Sequence, residues 1–558
     1  ETGASWQTQA ASPGAPTVEV VATLGLPNRV TVRVAGREAS AEDKTPLGAA
    51  RKAARAIAAD LTPLGCDDAT RRAWGAPDAA TARRIETTFR RLVMNDLDDS
   101  LTEIRELETA VPGSAWAHAM VVFTEAPGTP RHKAAIDKAL ALASELPPAR
   151  AKGLAGLVRM YKGDEDRPEA LRLLRQAYSE DPTDADVAGL YAAVAIANGA
   201  VEEGFAVVDR VAADAPGLAI VPLRNAILAP RRTDLARNQR YLARLIEILP
   251  EEAGSVQAFF DAVTRGDFAR ARAVLAFRAA LVPDDEDDFL PARLALLTGR
   301  PDDGVALAKK RLASGQSLVR LQAALLVTAG HFLAGRFEQA HASSLSELER
   351  LRDEGNTLAT RNQVFAELRA RRRAGERTAP KEILAAMGDP LGPGEVSLPA
   401  RLTLAVEVEL HRAGQDKGKA RAALDRLGDV AESARREDQA GARLALLPLV
   451  RLAKGDAAAV EVWRGDKDAT ESTVSSVALD AALALEATGA PESEIVAAYR
   501  LAMDPFRVET RPLDYLFAAL RLAAKYAKAV EGEERIAAWV SPASSLPAAV
   551  RDRALALE

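Results

Sequence analysis

Apolar and polar positions along most of this chain recur with a helical period, and proline cuts the helical stretches at even intervals. Between residues 151 and 182, Leu157, Tyr161, Ala170 and Ala177 mark two apolar stripes, and Pro182 closes the segment. Large residues fill the gap between two helices, and small ones let the second helix approach its neighbour. The proline ring removes an amide donor, so the helix cannot continue. Prolines in the same role fall at Pro112, Pro147, Pro182, Pro216, Pro250 and Pro283, separated by 35, 35, 34, 34 and 33 residues. A second marker lies inside the units, where a glycine is followed by an apolar and then a small residue. It occurs as Gly199-Ala200-Val201-Glu202-Glu203-Gly204, Gly266-Asp267-Phe268-Ala269-Arg270-Ala271 and Gly335-Arg336-Phe337-Glu338-Gln339-Ala340. The glycine relieves the backbone at a helix C-terminus and the apolar residue re-enters the core. The pattern predicts helix–turn–helix units stacked in series, broken at these prolines.

A 34-residue period is the length of one tetratricopeptide unit, and residues 78–350 resemble the tetratricopeptide repeat superfamily. Trp and Gly at the first consensus positions are mostly replaced, for example by Leu154 and Val158. The resemblance implies an all-α fold, a right-handed α-solenoid of helix-turn-helix repeats that binds proteins or extended peptides and is not an enzyme. In such arrays the first helices of successive units line a concave groove. Lys152, Arg159 and Lys162 share one helix face and match first-helix positions that face the groove. Phe260 and Phe332 occupy equivalent positions in later repeats. One reading makes these five a basic and aromatic track for an acidic or C-terminal peptide. The other is ordinary solvation and core packing.

Outside the array the pattern changes. Residues 1–16 read as a flexible tail, in which Glu1-Thr2-Gly3 looks like the scar of a cleaved vector leader. Residues 18–24 and 29–34 are β-branched runs joined by Gly25-Leu26-Pro27-Asn28, which predicts a hairpin. Pro46, Leu47, Ala50, Ala54, Ile57 and Leu61 then give a helix, so 17–62 form a ββα unit, a cap or a domain remnant, with almost no strand elsewhere. The array spans 63–387. Residues 388–398 hold two prolines and three glycines and read as an irregular linker. Residues 399–558 form a second, degenerate array, and Gly375, Gly414, Gly455 and Gly489 punctuate the chain from 350 onward. Ala-, Arg- and Leu-rich repeats behind a ββα element resemble the extracytoplasmic half of bacterial receptor-type serine/threonine kinases. That implies the ligand-binding region of an envelope receptor, periplasmic or at the cell surface. The alternatives are the repeat region of a cytoplasmic signalling or transcriptional regulator and, third, an α-solenoid enzyme.

Composition narrows the chemistry. A net charge of -6 offers no global basic field for nucleic acid or anionic lipid. No run of about 18 apolar residues spans a membrane. Cys66 is single, and the five histidines (His118, His132, His331, His341, His411) lack metal-ligand spacing. No phosphate loop, nucleophile elbow or dinucleotide fingerprint occurs, so no cofactor or metal is expected. The acidic run 284–288 reads as a helix cap rather than a calcium loop. The basic run Arg369, Arg371, Arg372, Arg373 and Arg377 reads as a solvated helix end whose cations suit the dipole.

Overall fold

The computed structural model describes, within the first 67 residues, 3–8, 18–23, 28–34, 37–43, 49–50 and 53. From 68 to 556 it leaves out 94–96, 126–127, 164–165, 198–199, 215–218, 229–234, 282–288, 314–316, 377–378, 388, 392–396, 437, 467–468, 470 and 541–547.

The expected hairpin is the middle of a larger sheet. Strands β1 (Gly3–Thr8), β2 (Val18–Thr23), β3 (Asn28–Val34) and β4 (Arg37–Asp43) form an antiparallel meander in the order β1-β2-β3-β4. Ala22, Val30 and Val32 are buried on one face against Ala49 and Ala53 of the following helical residues. The other face is polar, with Thr31 bonded to Ser40 and Arg33 paired with Glu38 at 2.6 Å. The expectation of strand confined to 18–35 is therefore corrected, and within the expected flexible tail residues 3–8 form a strand. Both added strands are edges, rich in small and polar residues. An edge needs only backbone groups to pair, so a search for β-branched runs passes over it. The rest of the helix expected near Pro46 lies outside the described residues.

From residue 79 the chain is a run of antiparallel helix pairs, an all-α helical repeat solenoid. Pro112 follows the helix Leu97–Ala110, Pro147 precedes Pro148–Lys162, and Pro182 separates Arg167–Glu180 from Ala185–Ala197. Pro250 opens a short 3-10 turn, Pro250–Gly254. Pro216 and Pro283 lie outside the described residues, and the helices Val201–Asp214 and Phe268–Leu281 end before them. Gly266 and Gly335 turn between paired helices with φ of 74° and 71°, the left-handed region that a side chain would strain. Of 388–398, residues 389–391 form a turn and Ser397 caps the helix Leu398–Ala413. That helix packs on Thr357–Ala374, and one apolar core runs through Ala370, Leu402 and Ala405.

Two features join the pairs. First, arginine and carboxylate meet about one repeat apart: Arg237 with Glu202 (35 residues), Arg320 with Glu354 (34) and Arg500 with Glu533 (33). Second, the array curls until its end meets its middle. The helix Pro512–Lys525 packs on Ser317–Leu333 and on Thr357–Ala374. The helix Glu534–Val540 presses on the turn at Gly299, where a Cβ would fall 2.6 Å from the Ala538 carbonyl oxygen.

Within a pair the backbones nearly touch, and a Cβ on Gly204 would lie 2.4 Å from Ile196 Cγ1 and 2.9 Å from the Ala192 carbonyl oxygen. Gly204→Val should therefore lower unfolding free energy by about 1–3 kcal/mol through overpacking. Gly428 stands mid-helix, and a Cβ added there would meet nothing within 4 Å. Gly428→Ala should instead gain about 0.5–1 kcal/mol. Urea unfolding of both variants checks the pair; equal effects would contradict this packing.

Candidate functional site

The helix Thr357–Ala374 ends in a left-handed Gly375, and its last two turns carry four arginines. Arg369, Arg372 and Arg373 are spaced so that they share one face. Glu407 from Leu398–Ala413, Asp480 from Glu471–Ala487 and Asp514 from Pro512–Lys525 converge on that face. Arg372 grips Glu407 through two nitrogens at 2.8 Å and reaches Asp480 at 3.1 Å. Arg373 grips Asp480 at 3.0 and 2.6 Å and Asp514 at 2.7 Å. Arg369 bonds Asp514 at 2.6 Å and Glu407 at 3.0 Å. Three guanidinium groups thus face three carboxylates, and five of the six side chains are 2% exposed or less.

Burial alone would raise the Asp480 carboxyl. The adjacent Arg372, Arg373 and Arg369 outweigh it and hold the group well below the usual carboxylate range. Burial opposes ionisation of Glu407 and Asp514 in the same way, and the arginines again win. A buried ion pair of this kind adds little over an apolar core of equal volume, but removing one partner costs roughly 3–5 kcal/mol. The cluster's effect is therefore on position: four helices meet only where the charges match. The basic run read as a solvated helix end is corrected for Arg369, Arg371, Arg372 and Arg373. The partners of Arg369, Arg372 and Arg373 lie between 35 and 145 residues away, beyond any local charge pattern. A fourth arginine, Arg511, is buried beside Ser475 at 3.1 Å, and burial with the repulsion of Arg369 pushes its pKa down to about 9. It still holds its proton at neutral pH.

A second polar knot lies on the far side of the same helix. His341 places Nδ1 2.6 Å from Glu367 and Nε2 2.9 Å from Glu376, and Arg371 bonds both carboxylates. The remaining histidines are core residues. His118 bonds the Pro112 carbonyl at 2.9 Å, His411 donates from Nε2 to the Leu368 carbonyl at 2.6 Å, and His331 Nδ1 accepts from Arg336 at 3.1 Å. Burial, aided by nearby cations, lowers the pKa of His132, His331 and His411. Among the described residues no group of His, Cys, Asp and Glu is placed to hold a metal ion, and no helix is long and apolar enough to cross a membrane. Cys66, Arg377 and the acidic run 284–288 lie outside the described residues.

The proposed groove residues separate into two sets. Lys152, Arg159 and Lys162 share a face of Pro148–Lys162 at 32%, 31% and 45% side-chain exposure. Each has a local counter-charge: Glu180 for Lys152, and Asp166 for both Arg159 and Lys162. Tyr161, on another face of the same helix, is 41% exposed and packs its ring on Phe123 at 5.0 Å. Phe260 and Phe332 do not join them. Phe332 is 1% exposed and packs on Phe337 and His341 of its own helix pair. Phe260 lies buried beneath Phe506, 4.0 Å away and nearly parallel.

Stacked antiparallel helix pairs define a repeat scaffold of the class that mediates protein contact. Residues 163–224 match the tetratricopeptide repeat family, and the chain carries tetratricopeptide repeats. That span runs from Arg167–Glu180 through Val201–Asp214 into Ile220–Leu228. No curated protein matches the chain.

The electrostatics set a pH dependence. The three carboxylates have folded pKa values below their ordinary 3.8 and 4.5, so their stabilisation is complete above that range and is lost as pH falls through it. His132, His331 and His411 are depressed below 6.5, so stability also drains as pH falls past that value. The urea midpoint should be highest near and above pH 7 and fall in two stages on acidification. Asp480→Asn should cost roughly 3–5 kcal/mol at pH 7 and flatten the lower stage. An unchanged midpoint at pH 7 would contradict the cluster's role.

Proposed function

We propose that the chain is a non-catalytic scaffold whose exposed repeat face around the helix Pro148–Lys162 binds an extended, acidic protein segment. The observation that carries this reading is the grouping of Lys152, Arg159 and Lys162 on one face of that helix. Glu180 and Asp166 partly neutralise the stripe. A partner's carboxylates displace those acids rather than meet bare cations, so each contact is worth about 1–2 kcal/mol.

The setting we propose is the extracytoplasmic side of a bacterial receptor-type kinase. What supports it is the order of parts, a small antiparallel sheet ahead of Ala-, Arg- and Leu-rich repeats. A hydrophobic span of about 20 residues encoded upstream of Glu1 would support it, and a helix-turn-helix domain there would favour the cytoplasmic regulator.

Binding of a labelled acidic peptide with a free C-terminal carboxylate, read by fluorescence anisotropy, tests the face directly. The triple change Lys152→Ala, Arg159→Ala, Lys162→Ala should weaken binding by well over about tenfold at unchanged helicity. Added salt should weaken it further, as screened charges do. Equal affinity of parent and triple variant would remove this face as the site.

A further inference from the structure

The loop 504–510 joins the helices Glu492–Ala502 and Pro512–Lys525, and it lies on first helices more than 200 residues earlier in the chain. Its shape is held from within. The Asp504 carboxylate accepts from the Phe506 amide at 3.1 Å, and carbonyls of Asp504 and Arg507 accept from Arg507 and Thr510, each at 3.1 Å. Two consecutive turns therefore present Phe506, Val508 and Glu509 in a fixed pattern. Phe506 stacks on Phe260 at 4.0 Å with ring planes 19° apart. Arg293, from the next first helix, sits 5.3 Å from the centre of the Phe260 ring and bonds Glu509 at 2.6 Å. Val508 is fully buried.

These contacts are those of a bound peptide: an aromatic anchor, an apolar anchor and a carboxylate on a cation, taken by consecutive first helices. The fit is incomplete. Glu509 meets Arg293 through one oxygen only. Its second oxygen and Arg293 Nε are buried without a partner, where a carboxylate approaching squarely forms two parallel bonds. We propose that the face at Phe260 and Arg293 is a peptide-binding site occupied in cis by the loop 504–510. Its ligand in trans is a peptide with an aromatic residue three positions ahead of a carboxylate. This rests on the protein-binding reading of the array but uses a face separate from Lys152, Arg159 and Lys162.

The cis segment competes with any incoming peptide, and apparent affinity scales with the fraction of molecules in which the site is open. The test uses the full chain and a labelled synthetic peptide of residues 503–511. The double variant Phe506→Ala, Glu509→Gln should bind that peptide at least about tenfold more tightly than the parent does. Adding Arg293→Met should abolish the gain. Circular dichroism and melting temperature show that the variant is folded. If it is not, Glu509→Gln alone replaces it, with the same order of affinities expected. A folded variant that binds the peptide no better than the parent overturns the proposal and leaves the loop a connector. The acidic-peptide assay on the Lys152 face is read separately, so either site can fail while the other stands.

Discussion

Charge neutrality at a buried centre is the constraint on which the second half of this molecule depends. Arg369, Arg372 and Arg373 are committed to the interior by one helix, while their counter-charges arrive on three others. An ion left unmatched there costs several kcal/mol, far more than the small gains that select one helix crossing over another. The permitted arrangement brings Glu407, Asp480 and Asp514 to the same point. Because these come from Leu398–Ala413, Glu471–Ala487 and Pro512–Lys525, satisfying the charges fixes how far the array curls. Apolar first helices would slide on one another at little cost. Arginine forks do not, because their nitrogens address particular oxygens.

Earlier repeats are stitched by the same chemistry in a weaker form. Arg237 with Glu202 and Lys152 with Glu180 are exposed pairs, and such pairs contribute about 0–1 kcal/mol each. Between residues 115 and 250, apolar packing and close helix approach dominate, alongside better-buried pairs such as Arg150 with Asp184 at 2.6 Å. From 357 onward, the buried charge of the cluster sets how the helices cross.

Repeat-level features were legible because they are local. A proline that ends a helix, or a glycine with positive φ as at Gly375 and Gly489, acts within a few residues, so a period in sequence becomes a period in space. The ionic cluster was not legible from the basic run, since an arginine-rich helix end looks the same whether water or a carboxylate faces it. The missed signal was on the acidic side: Asp480 sits in Val477-Ala478-Leu479-Asp480-Ala481-Ala482 and Glu407 in Leu404-Ala405-Val406-Glu407-Val408. A single acid within an apolar helix needs a buried cation, and the arginines supply it. The two edge strands escaped for a related reason, because backbone pairing leaves little trace in side chains. The three cations share one face of Pro148–Lys162, as helical spacing alone dictates. The burial of Phe260 depends on Phe506, from a segment that local patterning does not bring near it, whereas Phe332 is buried within its own helix pair by Phe337 and His341.

The ionic centre and the loop over Phe260 belong to one mechanical unit. Asp514 lies in the first turn of Pro512–Lys525, and Phe506 and Glu509 lie a few residues before it. Holding Asp514 against Arg369 and Arg373 therefore holds the loop within reach of Phe260 and Arg293. A tether this short keeps the local concentration of the loop far above that of any free peptide. Even a cis ligand with an unsatisfied carboxylate oxygen then occupies the site for most of the time. The imperfect fit gives a trans ligand its advantage: it need only complete the bonds that the tethered segment, constrained at its C-terminal end by the ionic centre, leaves unmade.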